Sequence, residues 1–270
     1  TPGAFQTTYG GKSDAMVGKL TPDGRALAYA TYFGGRDWDY ATAIAVDSRC
    51  QAWVAGSSNS PEVIPGPPQW GSFDTYFLIK LSAEGRRLLH ASRSVVRKLV
   101  PDLSDGVLAY DPSREVPRGL PTTPDALPVG ACVEGYLRRL NADGSVAFAT
   151  YLPFGWARAT QNGAGSFYFF SALGSVVKFD PAAQPRAFAT CVVSAATLVH
   201  HDPAAPGQII TVFGAGLGPE QGVSFVLDAG GRVPKALAGT RVLFNGVPGP
   251  VLYAQARQVN AIVPFGRTPR

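Results

Sequence analysis

The chain has no run of about 18 apolar residues, so no segment reads as a membrane-spanning helix. It also lacks a charged-then-apolar leader. With Thr1 first and the single Met16 internal, the true start is expected to lie upstream. Cysteine is scarce. Cys50, Cys132 and Cys191 lie far apart without CxxC spacing, which argues against a zinc ribbon or a thioredoxin-type site. One disulfide with a leftover thiol and three buried reduced thiols both remain open. Charge is scarce too, at 16% of residues against roughly 25% in an average soluble domain. The 24 Lys+Arg and 19 Asp+Glu are scattered, with short basic clusters at Arg86-Arg87, Arg97-Lys98 and Arg138-Arg139. No dense basic stripe is present, so no nucleic-acid partner is expected. GxSxG, HExxH and SxxK are all missing.

What is abundant is turn chemistry. Gly (31) and Pro (23) together make a fifth of the 270 residues, against about 12% on average. Both interrupt helices. Hydrophobic residues at 46% and aromatics at 11% still suffice for cores. This combination predicts an all-β protein.

The chain also repeats itself. Lys19-Leu20-Thr21-Pro22-Asp23-Gly24 returns as Lys80-Leu81-Ser82-Ala83-Glu84-Gly85 and as Arg139-Leu140-Asn141-Ala142-Asp143-Gly144, at spacings of 61 and 59 residues. Leu27-Ala28-Tyr29-Ala30-Thr31-Tyr32 aligns with 88–93 and 146–151, and Thr1–Phe5 with Thr123–Leu127. In the first copy, Ala15 to Leu20 reads as a strand and Pro22-Asp23-Gly24 as a turn. Leu27 to Phe33 is the returning strand, with further strands at Ala41–Asp47 and Ala52–Ala55. Four short antiparallel strands per period are the content of a β-propeller blade. Three blades are expected, at about 1–60, 61–122 and 123–185. The proline-rich Ser57–Ser72 reads as a connector between blades, and repeats two and three as decayed.

The segments Asp14–Leu20, Tyr29-Ala30-Thr31-Tyr32-Phe33-Gly34-Gly35 and Ala43-Ile44-Ala45-Val46-Asp47 resemble the bacterial SBBP β-propeller repeat. The resemblance spans about 1–185 and is strongest in the first third. Family members usually carry Gly where Cys50 stands and a Thr-x-Ser phrase near Ser57–Ser60. The resemblance implies a propeller fold and an extracellular or cell-surface location, and it supplies no catalytic residues.

A second unit is expected over 191–270, after a boundary between Pro181 and Pro206. Its phrases are Ile209–Pro219, Leu237–Pro248 and Val251–Pro264. Asn245-Gly246, between Val242-Leu243-Phe244 and Val251-Leu252-Tyr253, is a hairpin signal. These segments resemble the C-terminal domain of many secreted acidobacterial proteins, itself similar to Ig-like IPT/TIG sandwiches. Such domains usually continue past Val263–Gly266, so this one is expected to be truncated.

Candidate chemistry is sparse. Asp37 and Asp39, in a Gly loop, are a possible Ca²⁺ pair without further evident ligands. The plainer reading has them accepting local backbone N–H bonds. His200-His201-Asp202 lacks a third ligand, because adjacent strand residues point to opposite faces. Gly214-Ala215-Gly216-Leu217-Gly218 has no following helix, so a phosphate loop fails on context. Arg86, Arg87, Arg93, Arg97 and Lys98 form the strongest positive patch, read as a solvated loop. Trp38, Tyr40, Trp70 and Trp156, with Asp37 and Asp39, remain the candidate ligand or partner contacts. Trp53 reads as core.

The expected function is a non-enzymatic scaffold that presents loops to a protein, a glycan or further copies of itself, without a cofactor or a metal. The alternative is a polysaccharide-acting hydrolase or lyase, which would need convergent carboxylates or a His-based site at the blade axis. Asp37, Asp39, Asp102 and Asp105 are the only loop candidates for that role. Three blades cannot close a ring of 4–8. Other parts of a longer polypeptide, or further copies, are therefore expected to cover the free edges, with Phe167–Phe170 as the exposed apolar edge.

Overall fold

The computed structural model describes residues 1–64, 76–113, 115–124, 126, 127, 132–152, 156–171, 176–179, 188–198 and 204–265. All regular secondary structure among these residues is β. The chain divides into two compact units. The first is Thr1–Ala126 with Glu134–Pro181, and the second is Leu127–Val133 with Ala182–Arg270.

Among the described residues, the first unit holds thirteen strands. They are β1 (Ala15–Leu20), β2 (Leu27–Phe33), β3 (Asp39–Val46), β4 (Ala52–Ser58), β5 (Tyr76–Leu81), β6 (Leu88–Arg93) and β7 (Lys98–Pro101). Then come β8 (Val107–Asp111), β9 (Gly135–Leu140), β10 (Val146–Leu152), β11 (Trp156–Gln161), β12 (Phe167–Ser171) and β13 (Val176–Phe179). They form four antiparallel sheets: β1-β2, β3-β4-β5-β6, β7-β8-β9-β10 and β11-β12-β13.

The sheets are out of phase with the sequence period. The first Lys-Leu hairpin, β1-β2, stands by itself, and β3-β4 joins the hairpin of the next period. β4 and β5, on either side of the long proline-rich stretch, therefore belong to one sheet. The short Gly34–Trp38 link separates two sheets. β12 is the central strand of its sheet, paired to β11 and to β13, so Phe167–Phe170 is not an exposed edge.

Each repeated turn closes in the same way. Thr21, Ser82 and Asn141 accept the N–H of Gly24, Gly85 and Gly144 at 2.8, 2.9 and 2.9 Å. Those glycines sit at φ 71, 66 and 89°, a left-handed conformation that a side chain would strain.

The sheets pack face to face through three apolar layers. Ala15, Val17, Tyr29 and Phe33 of the first sheet cover Phe77, Ile79 and Leu81 of the second. Trp53, Ala55 and Leu78 meet Val107, Ala109 and Leu140. Leu108, Tyr110 and Leu137 meet Phe167 and Phe169. Phe77, Ile79 and Leu81 are fully buried. Burial of each stabilises the fold by about 1.5–3 kcal/mol.

The second unit has a five-stranded sheet in the order β14 (Phe188–Ser194), β15 (Ile209–Ala215), β20 (Gln258–Ile262), β19 (Val251–Gln255), β16 (Val223–Ser224). A separate hairpin joins β17 (Val242–Phe244) to β18 (Val247–Gly249). Asn245 and Gly246, at φ 50 and 84°, make its two-residue turn, so Val247–Gly249 takes the place expected for Val251–Tyr253. Cys132 and Cys191 form a disulfide with Cα atoms 6.0 Å apart, within a buried cluster with Val193. Cys50 is free and exposed, so three reduced thiols is not the observed state.

Candidate functional site

The Gly34–Trp38 link gathers several sequence candidates. It lies against Gly10-Gly11, where the two backbones come so close that a Cβ on Gly10 would stand 2.7 Å from the Gly35 carbonyl. Ser13 N–H donates to the Asp37 carbonyl (3.2 Å) and Asp39 N–H to the Ser13 carbonyl (2.7 Å), clamping Trp38 on both sides. Asn59 N–H donates to the Trp38 carbonyl (2.9 Å).

The two candidate aspartates part company here. Asp39 is fully buried, and its Oδ2 accepts from Gly35 N–H (2.8 Å) and the Ser60 hydroxyl (2.9 Å). Asp37 turns outward to Lys12, with Nζ–Oδ1 at 3.0 Å. They therefore do not share a cation. No group of three or more His, Cys, Asp or Glu gathers as a metal set among the described residues. Asp14 was missed in the sequence. Its Oδ2 accepts from Gly10 N–H and the Gln6 amide, each at 2.9 Å, which fixes the Gly10-Gly11 crossing.

On this frame stand the rings of Trp38 and Tyr40. They are 44% and 48% exposed, their centroids lie 6.1 Å apart and their planes differ by 14°. Spacing at i, i+2 puts both side chains on one side of the strand. The rim is polar, with Lys12–Asp37 and an Arg36–Glu62 pair at 3.2 Å. Hydrogen bonds from the N–H of Glu62 itself and from Arg36 hold the Glu62 carboxyl below its usual range, so it stays ionised. Two parallel exposed rings with charged neighbours can stack on the C–H face of a sugar or on a planar partner group.

The remaining candidates do not join this site. Trp70 and His200-His201-Asp202 lie outside the described residues, and the strand of Trp156 pairs with Ser171 elsewhere in the unit. Trp53 is core, with Lys80 Nζ 4.9 Å from its ring centroid. Two members of the basic patch are engaged. Arg93 donates to the Ile64 carbonyl (2.8 Å), and Arg97 pairs with buried Asp111 (3.2 Å). Gly214 and Ala215 end β15 and no helix follows them.

A cleft of about 380 Å³ lies among the ends of β3, β7 and β11, lined by Val46, Asp47, Leu103, Asp105, Thr160 and Gln161, with Asp102 also on its wall. Its carboxylates are already held. Asp47 pairs with Lys80 (3.0 Å), Asp102 with Arg139 (2.5 Å) and Asp105 with Arg49 (3.2 Å). Burial pushes Asp102 up, but Arg139, Ser104 N–H and the Gln161 amide outweigh it and leave the carboxyl below its ordinary value.

No protein-family model matches the chain, and no curated protein matches it. Among solved structures, the crystal structure of BamB from Moraxella catarrhalis aligns with 98% of this chain and 95% of its own. The identity is 14% and the TM-score 0.16, too low to carry anything across.

Proposed function

We propose that the chain is a non-enzymatic binding scaffold, secreted or displayed at the cell surface, that uses the Trp38–Tyr40 platform to hold a glycan. Its first unit is read as a run of propeller-type blades and its second as an Ig-like sandwich. Sheets of up to four strands stacked face to face support the first reading. The observation that carries the function is the exposed, near-parallel ring pair on a backbone fixed from both sides.

The rival reading, a hydrolase or lyase of polysaccharide, needs carboxylates able to take or give a proton. Those of the cleft and of the Gly34–Trp38 link are bound to Lys, Arg or backbone N–H groups instead. A glycan array with the wild type, Trp38→Ala and Tyr40→Ala tests the proposal. Binding by the wild type that both variants lose supports it. Wild-type binding that survives both substitutions, or no glycan binding at all, overturns it, and a protein ligand then takes precedence. Release of reducing sugar from any bound polysaccharide would establish the rival.

A further inference from the structure

The chain uses one type of interface three times, and its two halves are left open at the ends of the first unit. Position by position, Val17, Leu78, Leu137 and Val176 are equivalents, each two residues before the Lys or Arg of its copy (Lys19, Lys80, Arg139, Lys178). The first three are 3%, 0% and 0% exposed, each covered by the sheet that follows, whereas Val176 is 58% exposed. On the opposite face, Leu81 and Leu140 are fully buried by the preceding sheet, whereas their equivalent Leu20 is 59% exposed. Met16, at 66%, stands where Phe77 and Tyr136 are buried at 0% and 1%. Beside Leu20, Leu27 is exposed, while its equivalent Leu88 packs into the first apolar layer. Beside Val176, Phe170 is 40% exposed.

We propose that a second copy of this chain covers these faces head to tail, the Phe170–Val176 face of one copy stacking on the Met16–Leu20–Leu27 face of the other. The occupant follows from the chain's own packing. The Val176 face is of the kind that covers a following sheet, and the Leu20 face is of the kind that receives a preceding one. Each end therefore presents the half that the other lacks. The four first-unit sheets of each copy make eight in a pair joined at both ends, within the 4–8 blades of closed propellers. A head-to-tail contact of this kind closes into a ring when the rotation permits. The inference rests on the propeller-type reading of the sheets and not on the glycan platform.

The test is the mass of the full chain in solution, by sedimentation velocity in a Cys50→Ser background that removes the exposed thiol. A species of twice 28.4 kDa is expected. Leu20→Glu and Val176→Glu each alter an exposed residue, so thermal melting of the isolated copy is expected to hold while each variant runs as a monomer. An equimolar mixture of the two keeps one intact junction and is expected to regain a 1:1 pair. A wild type that stays monomeric over a wide concentration range overturns the inference. So does a dimer indifferent to both substitutions, or a mixture that fails to pair. Glycan binding is read separately and is expected to persist in the monomeric variants.

Discussion

Lys80 and Asp47 meet at 3.0 Å with side chains 2% and 0% exposed. Asp47 opens the turn that follows β3, the first strand of its sheet, and Lys80 comes from the third, so the pair ties a hairpin turn to the strand beyond it. The ammonium also donates to the Ala142 carbonyl (2.9 Å), and Asp47 Oδ1 takes the N–H of Arg49 and Gln51. Removing one member strands a buried charge, which costs about 3–5 kcal/mol. Lys80→Met is expected to lose that much in urea unfolding. Lys19→Met, at the same repeat position, is expected to lose less than about 0.5 kcal/mol, because Lys19 is half-buried and reaches the Ala83 carbonyl at 3.5 Å. Equal losses at the two positions would show that the pair is not what holds the turn.

Acidification is expected to weaken the first unit in two separate windows. His90 has a lowered pKa, first through burial and then through Arg138, with Lys80 adding and Asp143 opposing. The unfolded chain therefore takes the proton first. Stability contributed by neutral His90 is present above the unfolded value of about 6.5 and declines as pH falls below it. Asp102 has a folded pKa below its unfolded value of about 3.9, so its contribution is present above that value and is lost as pH falls through the folded one. The difference between wild type and His90→Phe should change between pH 7 and 5. The difference for Asp102→Asn should change only below about pH 4. Curves parallel to wild type across both windows would contradict this assignment.

The strands of the first unit were largely legible, because a Lys-Leu phrase, a Gly turn and a returning aromatic run are local signals. β1 and β2 fall where the pattern puts them, while β3 starts two residues earlier and β4 runs three residues further than expected. The grouping into sheets was not legible, since nothing local says which hairpins share a ladder. Loop length suggested that the proline-rich stretch after Ser57 divides blades, whereas Ser57 pairs with Tyr76 across it. A fourth copy, Val177-Lys178-Phe179, went unseen because it follows Arg139 by 39 residues and not by about 60. Of the site, Trp38 and Tyr40 were visible as loop aromatics. The frame that Gly10, Asp14 and Ser60 supply was not, because those contacts span up to 25 residues of sequence, from Gly10 to Gly35.

The disulfide was among the features spacing alone could not assign. Cys132 and Cys191 are 59 residues apart in sequence, and closing a loop of that length in the unfolded chain gives a stabilisation of about 4 kcal/mol in the chain-entropy account. Both cysteines belong to the second unit. Reduction is therefore expected to lower the melting of that unit while leaving the first unit's transition in place. Thiol titration should find one reactive group in the native protein, Cys50, and three after reduction in denaturant. Three reactive groups in denaturant before reduction would remove the bridge.

The turns after β3, β7 and β11 share one backbone design, and two of them strain it. Asp47, Asp102 and Asn162 each accept, through the backbone carbonyl, the N–H three residues on, and each side chain takes the N–H two residues on. The fourth position is left-handed in all three turns, at φ 60, 62 and 85° for Cys50, Asp105 and Gly165. For an L-residue that conformation costs roughly 1–2 kcal/mol. Cys50 is exposed and unbridged, so nothing offsets the cost there. Cys50→Gly should stabilise the first unit by about 0.5–1 kcal/mol, once the unfolded chain's greater freedom is subtracted. Asp105 is different. Its Oδ1 takes the Ser48 N–H at 3.0 Å and its Oδ2 faces Arg49 at 3.2 Å. Charge-assisted hydrogen bonds are stronger than neutral ones, and together these contacts outweigh the relief of strain. Asp105→Gly should therefore destabilise the fold. The two substitutions make the same backbone change at equivalent positions, and opposite signs in urea unfolding are the expected result. Stabilisation by both would mean that the Asp105 contacts contribute nothing.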